Sequence, residues 1–425
     1  METGNLYHKE TLHSGLRVIT IPMPSSRSVT VMAMVGAGSR YEKKKTNGLS
    51  HFMEHMFFKG AKRYPDTMAV SSAIDSVGGV FNAFTGEDKV GYFVKLSSAK
   101  KRVSYDVLSD MLLNSKFEKE EIDRERGVII EEIRMYNDDP MSKVQIDFKN
   151  HFFGDQPLGW DIAGPEENIK AVTQDQFFEY RNIHYTSASC VLVAAGGITH
   201  EENIELSQEF FKFTNRGIKS QAPEYRPMEG ERSRLTTRDI EQAHLVMGFP
   251  IPGDEDQDQP ALKMLNNILG GTMSSRLFYQ VRERRGLAYY IRSSRGAFVD
   301  TGALRISAGI NVEKLEEAIA CIKEELDKMA NDGVTDDELD RARENIKGRN
   351  DLSLENSMSV AMLYADHETL HGKVKTPDEM HAEIDRVTLP RVNEVAKKYI
   401  DMAKIKMAVL GPYDDLAPFD KKLDG

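Results

Sequence analysis

Two histidines and a glutamate lie within a five-residue segment in the first part of the chain. His51, Glu54 and His55 form the pattern His-x-x-Glu-His. In a helix, residues four apart share a face, so the two imidazoles can bind the same metal ion. Zinc accepts neutral imidazole ligands, and a third protein ligand would leave one position open for a water whose proton Glu54 can accept. The spacing therefore predicts a zinc site of the inverted His-x-x-Glu-His type.

Apolar residues flank this motif. Phe52 and Met53 lie within it, and Met-Phe-Phe follows at 56–58, so the segment is predicted to be a largely buried helix. Histidines on such a helix can be structural, and five-residue patterns also arise by chance. However, burying two histidines and a glutamate together is costly unless something compensates their polarity. The flanks therefore favour a metal site over the structural alternative.

The longer segment 48–60 reads Gly-Leu-Ser-His-Phe-Met-Glu-His-Met-Phe-Phe-Lys-Gly and resembles the signature of the pitrilysin-type (M16) zinc metallopeptidases. It is similar above all to the short bacterial members and to the β subunit of the mitochondrial processing peptidase. The resemblance covers nearly the whole chain, about 12–411. It implies a zinc endopeptidase that cleaves peptides or unstructured segments. One Zn²⁺ per chain would be held by His51 and His55, with Glu54 as the general base.

The resemblance also implies a third zinc ligand from a later helix. In the family this ligand is a glutamate, and Glu132 lies at the matching distance, 77 positions beyond His55. Glu125 lies seven residues before Glu132, two helical turns away on the same face. The resemblance implies that Glu125 supports the site without binding the metal. Glu131 is the alternative ligand.

A short segment at 81–85, Phe-Asn-Ala-Phe-Thr, also matches the family. In the family this is an edge strand to which a peptide substrate adds by backbone hydrogen bonds, so that the scissile carbonyl lies over the metal. The resemblance thus implies that Asn82, Ala83, Phe84 and Thr85 bind substrate. An ordinary strand without this role is the alternative.

A second substrate-handling group is implied in the later part of the chain. Arg282 and Tyr289, seven residues apart, resemble an arginine and a tyrosine of the family. Arg282 would hold the substrate backbone or a carbonyl, and Tyr289 would donate a hydrogen bond to the developing oxyanion. Without the resemblance, a solvated basic helix end followed by a core tyrosine would explain both residues. Tyr290 is the alternative to Tyr289.

The chain matches itself at an offset of about 215 residues. Ile-Lys-Ala-Val-Thr at 169–173 recurs as Ile-Asp-Arg-Val-Thr at 384–388, and Glu-Ile-Asp-Arg-Glu-Arg at 121–126 recurs as Glu-Leu-Asp-Arg-Ala-Arg at 338–343. Every candidate metal-site residue is replaced in the second copy, so one metal site per chain is expected. The replacements of His51, Glu54, His55, Glu125 and Glu132 are, in that order, Lys263, Asn266, Asn267, Ala342 and Arg349.

This repeat predicts an α+β fold of two similar domains, each a mostly antiparallel sheet with helices packed on one face. Residues 1–215 are predicted to form the catalytic, zinc-binding domain. Residues 235–425 are predicted to form the homologous domain without a metal, which carries Arg282 and Tyr289. The polar, proline-containing stretch 216–234 is predicted to be the linker.

Composition narrows the possible partners. The formal net charge of −11 argues against nucleic acid or an anionic membrane, and no apolar run approaches the ~18 residues that a membrane span needs. The first ten residues lack the features of a signal peptide or a mitochondrial presequence, which favours a cytoplasmic protein.

Cys190 and Cys321, the two cysteines, lie in apolar settings and are predicted to be buried thiols.

The length of the chain bears on its assembly. The larger relatives enclose their site between two such halves in one chain, whereas 425 residues correspond to one half. The resemblance therefore implies a homodimer, or a heterodimer with a paralogue, that forms a chamber around the site. A non-catalytic structural or chaperone-like subunit is the alternative function. Such relatives typically lose a ligand or the glutamate, whereas this chain has all of them.

Overall fold

The computed structural model of the chain describes residues 6–424. Eleven strands and fifteen α-helices occur in this range. The strands are β1 (His8–Thr11), β2 (Arg17–Pro22), β3 (Ser28–Val35), β4 (Val80–Thr85), β5 (Val90–Ser97), β6 (Cys190–Gly196), β7 (Ser233–Thr237), β8 (Gln242–Pro252), β9 (Ala288–Ala297), β10 (Thr301–Asn311) and β11 (Lys406–Gly411). The helices are α1 (Leu49–Met56), α2 (Thr67–Asp75), α3 (Arg102–Asn114), α4 (Lys119–Asp138), α5 (Pro140–Phe153), α6 (Glu166–Ala171), α7 (Gln174–His184), α8 (His200–Phe210), α9 (Gln259–Asn266), α10 (Leu315–Asn331), α11 (Asp336–Leu354), α12 (Ser357–His371), α13 (Pro377–Asp385), α14 (Leu389–Tyr399) and α15 (Ala417–Asp424).

These elements form two compact units. One of the boundaries between the units lies between Pro223 and Glu224, within the stretch 216–234. The units nevertheless differ from the predicted continuous domains, because α12 belongs to the first unit and α5 to the second. The first unit contains the chain up to Ile133, Trp160–Pro223 and Asp351–Thr376. The second contains Arg134–Gly159, Glu224–Asn350 and the chain from Pro377 onward.

A six-stranded sheet forms the centre of the first unit, in the order β1-β2-β6-β3-β5-β4. Neighbouring strands are antiparallel except β2 and β6, which are parallel. One face packs against α1, α3, α4 and α7 in a large apolar cluster. The other face packs against α12, whose Tyr364 and Ala365 are buried beside Met32 and Val193. β4 lies at the edge of the sheet, on the side where α1 packs.

The second unit contains a five-stranded sheet in the order β7-β11-β8-β10-β9. It is antiparallel apart from the β7–β11 pair. α9, α10 and α14 contribute to the apolar cluster on one face. α5 covers the other face, where Phe148 and Phe152 are buried beside Val246 and Leu410.

The predicted α+β fold with two similar, mostly antiparallel sheets is confirmed. Helices, however, cover both faces of each sheet rather than one, because α5 and α12 supply the second layer. The burial of β3 (Ser28–Val35) agrees with this arrangement. Seven of its eight residues are buried, as expected for a strand covered on both faces. A helix's amphipathic pattern shows that it buries one face, but it does not specify the sheet against which that face packs.

Both cysteines are free and buried, as predicted. Cys190 lies at the start of β6 and Cys321 lies in α10, both elements of the core. Burial raises the pKa of the Cys190 thiol to about 12, which keeps it protonated at neutral pH. Within residues 6–424, no helix combines the length and the apolar character needed to cross a membrane.

Candidate metal centre

The helix that carries the motif, α1, begins at a tight turn after Asn47. Gly48 has a φ of +100°, and a Cβ there would lie 2.5 Å from the backbone oxygen of Ala163, so the turn requires glycine. The buried carboxylate of Glu42 accepts hydrogen bonds from the backbone N–H groups of Gly48 (2.9 Å) and Ser50 (2.5 Å). An acid at a helix N-terminus satisfies unpaired N–H groups and interacts favourably with the helix dipole. Glu42 therefore anchors α1.

The three predicted metal ligands lie together in the first unit. His51 and His55 project from one side of α1, with ring centroids 4.8 Å apart, and Glu132 approaches them from α4. Nε2 of His51 is 3.7 Å from Oε1 of Glu132, and Nε2 of His55 is 3.5 Å from Oε2. One potential ligand atom from each residue lies within 4.8 Å of the other two. No second group of this kind occurs within residues 6–424.

This arrangement fits a zinc ion. Zinc bonds to nitrogen and oxygen are about 2.0–2.2 Å long, so ligand atoms at tetrahedral corners are roughly 3.3–3.6 Å apart. The Nε2–Oε distances of 3.5 and 3.7 Å are close to that range. Burial lowers the pKa of His51 to about 4, and the charge of His55 acts in the same direction, so His51 is neutral, as a ligand must be. Glu131, the alternative ligand, is exposed on α4 and lies outside the group.

A carboxylate, itself paired with an ammonium group, contacts His55 on the side away from the other candidate ligands. Oε1 of Glu125 is 2.8 Å from Nδ1 of His55, and Nζ of Lys59 is 2.5 Å from Oε2 of the same carboxylate. Burial raises the pKa of Glu125, but the hydrogen bonds from His55 and Lys59 outweigh burial and hold it below its ordinary value. An ionised Glu125 accepts the Nδ1–H hydrogen and leaves Nε2 of His55 available to a metal. Lys59 was not predicted, although its position four residues after His55 was an available signal.

Burial and nearby charges also shift the pKa values of His55 and Glu132. Burial lowers the pKa of His55, but the hydrogen bond to Glu125 and the negative charges around it outweigh burial, and the pKa lies above its ordinary value. Burial raises the pKa of Glu132, against the attraction of His55. The site therefore concentrates negative charge beside two imidazoles, which favours a bound cation.

Glu54 lies beside the candidate ligands but does not belong to their group. Its Oε2 accepts a 2.5 Å hydrogen bond from the hydroxyl of Thr85. Burial raises the pKa of Glu54, although this hydrogen bond and the charge of His55 act in the opposite direction. A raised pKa suits a carboxylate that has to take up a proton. Thr85 was predicted to bind substrate, and its side chain in addition contacts the candidate base.

The predicted edge strand is present as β4, which pairs with β5 in the described sheet and has its other edge open. Asn82 is exposed, and its Oδ1 accepts a hydrogen bond of 2.9 Å from the N–H of Ala83. The ring of Phe84 packs against the apolar cluster beneath α12. The side chains of β4 thus alternate between the two faces of the sheet, and Thr85 lies on the α1 side. Contact between β4 and a substrate stays a prediction.

Arg282 and Tyr289 lie in the second unit. Arg282 belongs to a short π-helical segment, and its guanidinium carbon is 4.8 Å from the centre of the Phe278 ring. Tyr289 lies in β9 and is 61% exposed, whereas the hydroxyl of Tyr290 lies 3.1 Å from Nδ1 of His244. Tyr289 is therefore the more accessible of the two tyrosines. The substrate-binding role of Arg282 and Tyr289 stays a prediction.

The second unit keeps the helices that correspond to α1 and α4 but not their candidate metal-binding residues. Lys263 and Asn266 lie in α9, and Asn267 follows it with a hydrogen bond of 2.9 Å to Asn345. Ala342 of α11 is buried in the core. The repeated helices are thus retained for packing, while the residues that could bind a metal occur in one copy.

Two protein-family models match consecutive parts of the chain. Residues 17–166 match the family described as insulinase (peptidase family M16). Residues 171–346 match the peptidase M16 inactive domain. The first range contains the three candidate ligands and the second contains Arg282 and Tyr289.

Sequence relatives and solved structures support the same assignment. An uncharacterized zinc protease of Streptomyces coelicolor is 34% identical over 96% of this chain and 90% of its own length. The uncharacterized zinc protease YmxG of Bacillus subtilis is 35% identical over 91% of this chain and 94% of its own length.

Among solved structures, a protease from Helicobacter pylori has a TM-score of 0.87 at 23% identity, over 96% of this chain and 99% of that chain. A peptidase M16 inactive domain from Pseudomonas fluorescens has a TM-score of 0.89 at 17% identity, over 96% and 98%. These structural likenesses show the fold. Because the two M16 family models match residues 17–166 and 171–346, and the zinc-protease relatives match at 34–35% identity over nearly all of the chain, the protein belongs to the M16 peptidase family.

Proposed function

We propose that this protein is a zinc-dependent endopeptidase that cleaves peptides or unstructured polypeptide segments. The observation that carries the proposal is the convergence of His51, His55 and Glu132 beside Glu54, an acid outside the ligand group. This arrangement separates the residues that hold a metal from the residue that moves a proton. The zinc-protease relatives add support from sequence.

Each residue of the centre has a separate task in this proposal. His51, His55 and Glu132 hold one Zn²⁺ per chain, which when bound lowers the pKa of a water molecule and polarises the scissile carbonyl. Glu54 accepts the proton of the attacking water and then delivers it to the leaving amine. Thr85 holds the carboxylate of Glu54 in one orientation through its hydrogen bond.

The substrate adds to β4 as a further strand. Strand addition uses backbone N–H and C=O groups, so it accommodates varied side chains and requires an extended, unfolded segment. Asn82, Ala83, Phe84 and Thr85 form the receiving strand. The hydrogen bond between the Asn82 side chain and the Ala83 N–H would be exchanged for one to the substrate.

A second copy of the chain, or a paralogue, completes the site in this proposal. Arg282 holds the substrate backbone and Tyr289 donates a hydrogen bond to the oxygen that becomes negatively charged. The dimer encloses the zinc centre in a chamber, which excludes folded proteins and admits short or unfolded chains.

Metal analysis and peptide cleavage by the purified protein test the proposal. We expect zinc to copurify, an internally quenched peptide to be cleaved, and a chelator to abolish cleavage until zinc is restored. The matched variant Glu54→Gln should keep the metal and the fold but lose activity by about 100- to 10,000-fold, because it lacks the base. Zinc binding without turnover in either protein would favour the non-catalytic subunit, and absence of zinc binding would contradict both the metal assignment and the mechanism.

A further inference from the structure

Lys59 lies at the end of a chain of contacts that begins at the metal ligand His55. Nδ1 of His55 is 2.8 Å from Oε1 of Glu125, and Oε2 of Glu125 is 2.5 Å from Nζ of Lys59. The side chain of Glu125 is 5% exposed and that of Lys59 is 22% exposed. Both groups are therefore held within the protein, beside the proposed zinc centre.

The backbone around Lys59 is fixed by several hydrogen bonds. The N–H of Lys59 donates to the carbonyl oxygen of Met56 (3.1 Å), which continues the turn at the end of α1. The N–H of Lys116 donates to the carbonyl oxygen of Gly60 (3.1 Å). Gly60 has a φ of +136°, and a Cβ there would lie 2.5 Å from the backbone oxygen of Pro65. The chain therefore leaves α1 in one direction, which places the stem of Lys59 beside Glu125.

The two histidines of the centre are held differently. Nδ1 of His55 is hydrogen-bonded to Glu125, whereas Nδ1 of His51 is buried without a hydrogen-bond partner in the described part of the chain. The orientation of the His51 ring is thus set by packing and by the contacts of its Nε2, the atom that would bind the metal. Of the two histidines, only His55 can therefore be oriented by a hydrogen bond at Nδ1.

The buried carboxylate of Glu125 requires compensation, because a buried charge is costly without a partner. Lys59 is the only lysine or arginine that contacts Glu125 within residues 6–424. A His55 that binds a metal through Nε2 donates from Nδ1 as a neutral ring, so it cannot supply the positive charge. In the metal-bound centre Lys59 therefore carries the charge that balances Glu125.

We propose that Lys59 is a positioning residue for the zinc ligand His55: it fixes the carboxylate of Glu125, which in turn orients Nε2 of His55 toward the metal. Without the ammonium group, Glu125 keeps one of its two partners and its carboxylate can turn toward water. This inference rests on the proposed zinc function. It concerns metal affinity, which is measured independently of peptide cleavage.

The zinc dissociation constant tests this role, measured on the metal-free protein by competition with a chromophoric chelator. We expect Lys59→Met to weaken zinc binding about tenfold, within the range typical for losses around metal ligands, and to alter the absorption spectrum of bound Co²⁺. Lys59→Arg keeps the charge and should recover part of the affinity. Lys101→Met is the matched control, because its side chain is also 22% exposed and its ammonium is 2.8 Å from the carboxylate of Glu202 in α8. The control should bind zinc normally.

A double-mutant cycle with Glu125→Gln decides whether Lys59 acts through Glu125. If it does, Lys59→Met should have little further effect in the Glu125→Gln background, whereas independent effects would add. Unchanged affinity or tighter binding in Lys59→Met would overturn the inference, and so would additive effects. If Lys59→Met does not fold, Lys59→Gln carries the same test. Absence of zinc binding in the unmodified protein would instead refute the proposed function.

Discussion

The hydroxyl of Thr85 donates a hydrogen bond of 2.5 Å to Oε2 of Glu54. The two residues are 31 positions apart and lie on β4 and α1, respectively. The contact joins the strand proposed to receive substrate to the proposed general base. Because a donor on one carboxylate oxygen restrains the whole group, the other oxygen is held in a defined direction to accept a proton.

Replacing Thr85 separates catalysis from binding. Thr85→Val removes the hydroxyl but keeps the shape and strand preference of the side chain. We expect kcat to fall by about 10- to 100-fold, because the base is no longer oriented, while KM stays close to its original value, because strand addition uses the backbone. Steady-state kinetics on a quenched peptide measure both. Thr85→Ser should recover most of kcat, and a change confined to KM would show that Thr85 serves binding alone.

The third ligand is identified by comparing two adjacent glutamates. Glu132→Gln should lower zinc occupancy far more than Glu131→Gln, because Glu132 is grouped with the histidines and Glu131 is exposed. Metal content after dialysis measures this difference. Glu125→Gln should show a milder loss, about 10- to 100-fold in affinity or activity. Loss of metal in Glu131→Gln with retention in Glu132→Gln would move the ligand by one residue.

Subunit mixing tests whether Arg282 and Tyr289 act on the metal centre of a second copy. One chain carries Glu54→Gln, and the other carries Arg282→Ala with Tyr289→Phe, so each should be nearly inactive alone. A two-fold dimer of one chain of each kind contains one complete site. Equal mixing should therefore restore at most about a quarter of the original rate per chain, because half of the dimers are mixed. No recovery, with subunit exchange verified by an independent label, would exclude the exchange of these residues between copies.

The residues that the structure brings together at the candidate metal centre were predictable to different degrees. His51 and His55 required only the helical spacing of four residues, which is a local property. Glu132 required the family resemblance, because 77 positions separate it from His55 and several acids occur nearby on the same helix. Its choice over Glu131 follows from the rotation of α4, which is set by burial of Ile129 and Ile133 in the core.

The amino-acid sequence by itself determined the motif, the internal repeat, the loss of every candidate ligand in the second copy and the α+β class, because these depend on residue type and local periodicity. Only the tertiary structure decided that α5 and α12 each pack on the sheet of the other half, that Thr85 reaches Glu54, and that Lys59 reaches Glu125. Local periodicity shows which face of an element is buried, whereas the partner of that face depends on packing between segments that are distant in the chain. A side-chain contact of 2.5 Å between such segments depends on the positions of both backbones, so neither residue's partner can be predicted from its local sequence.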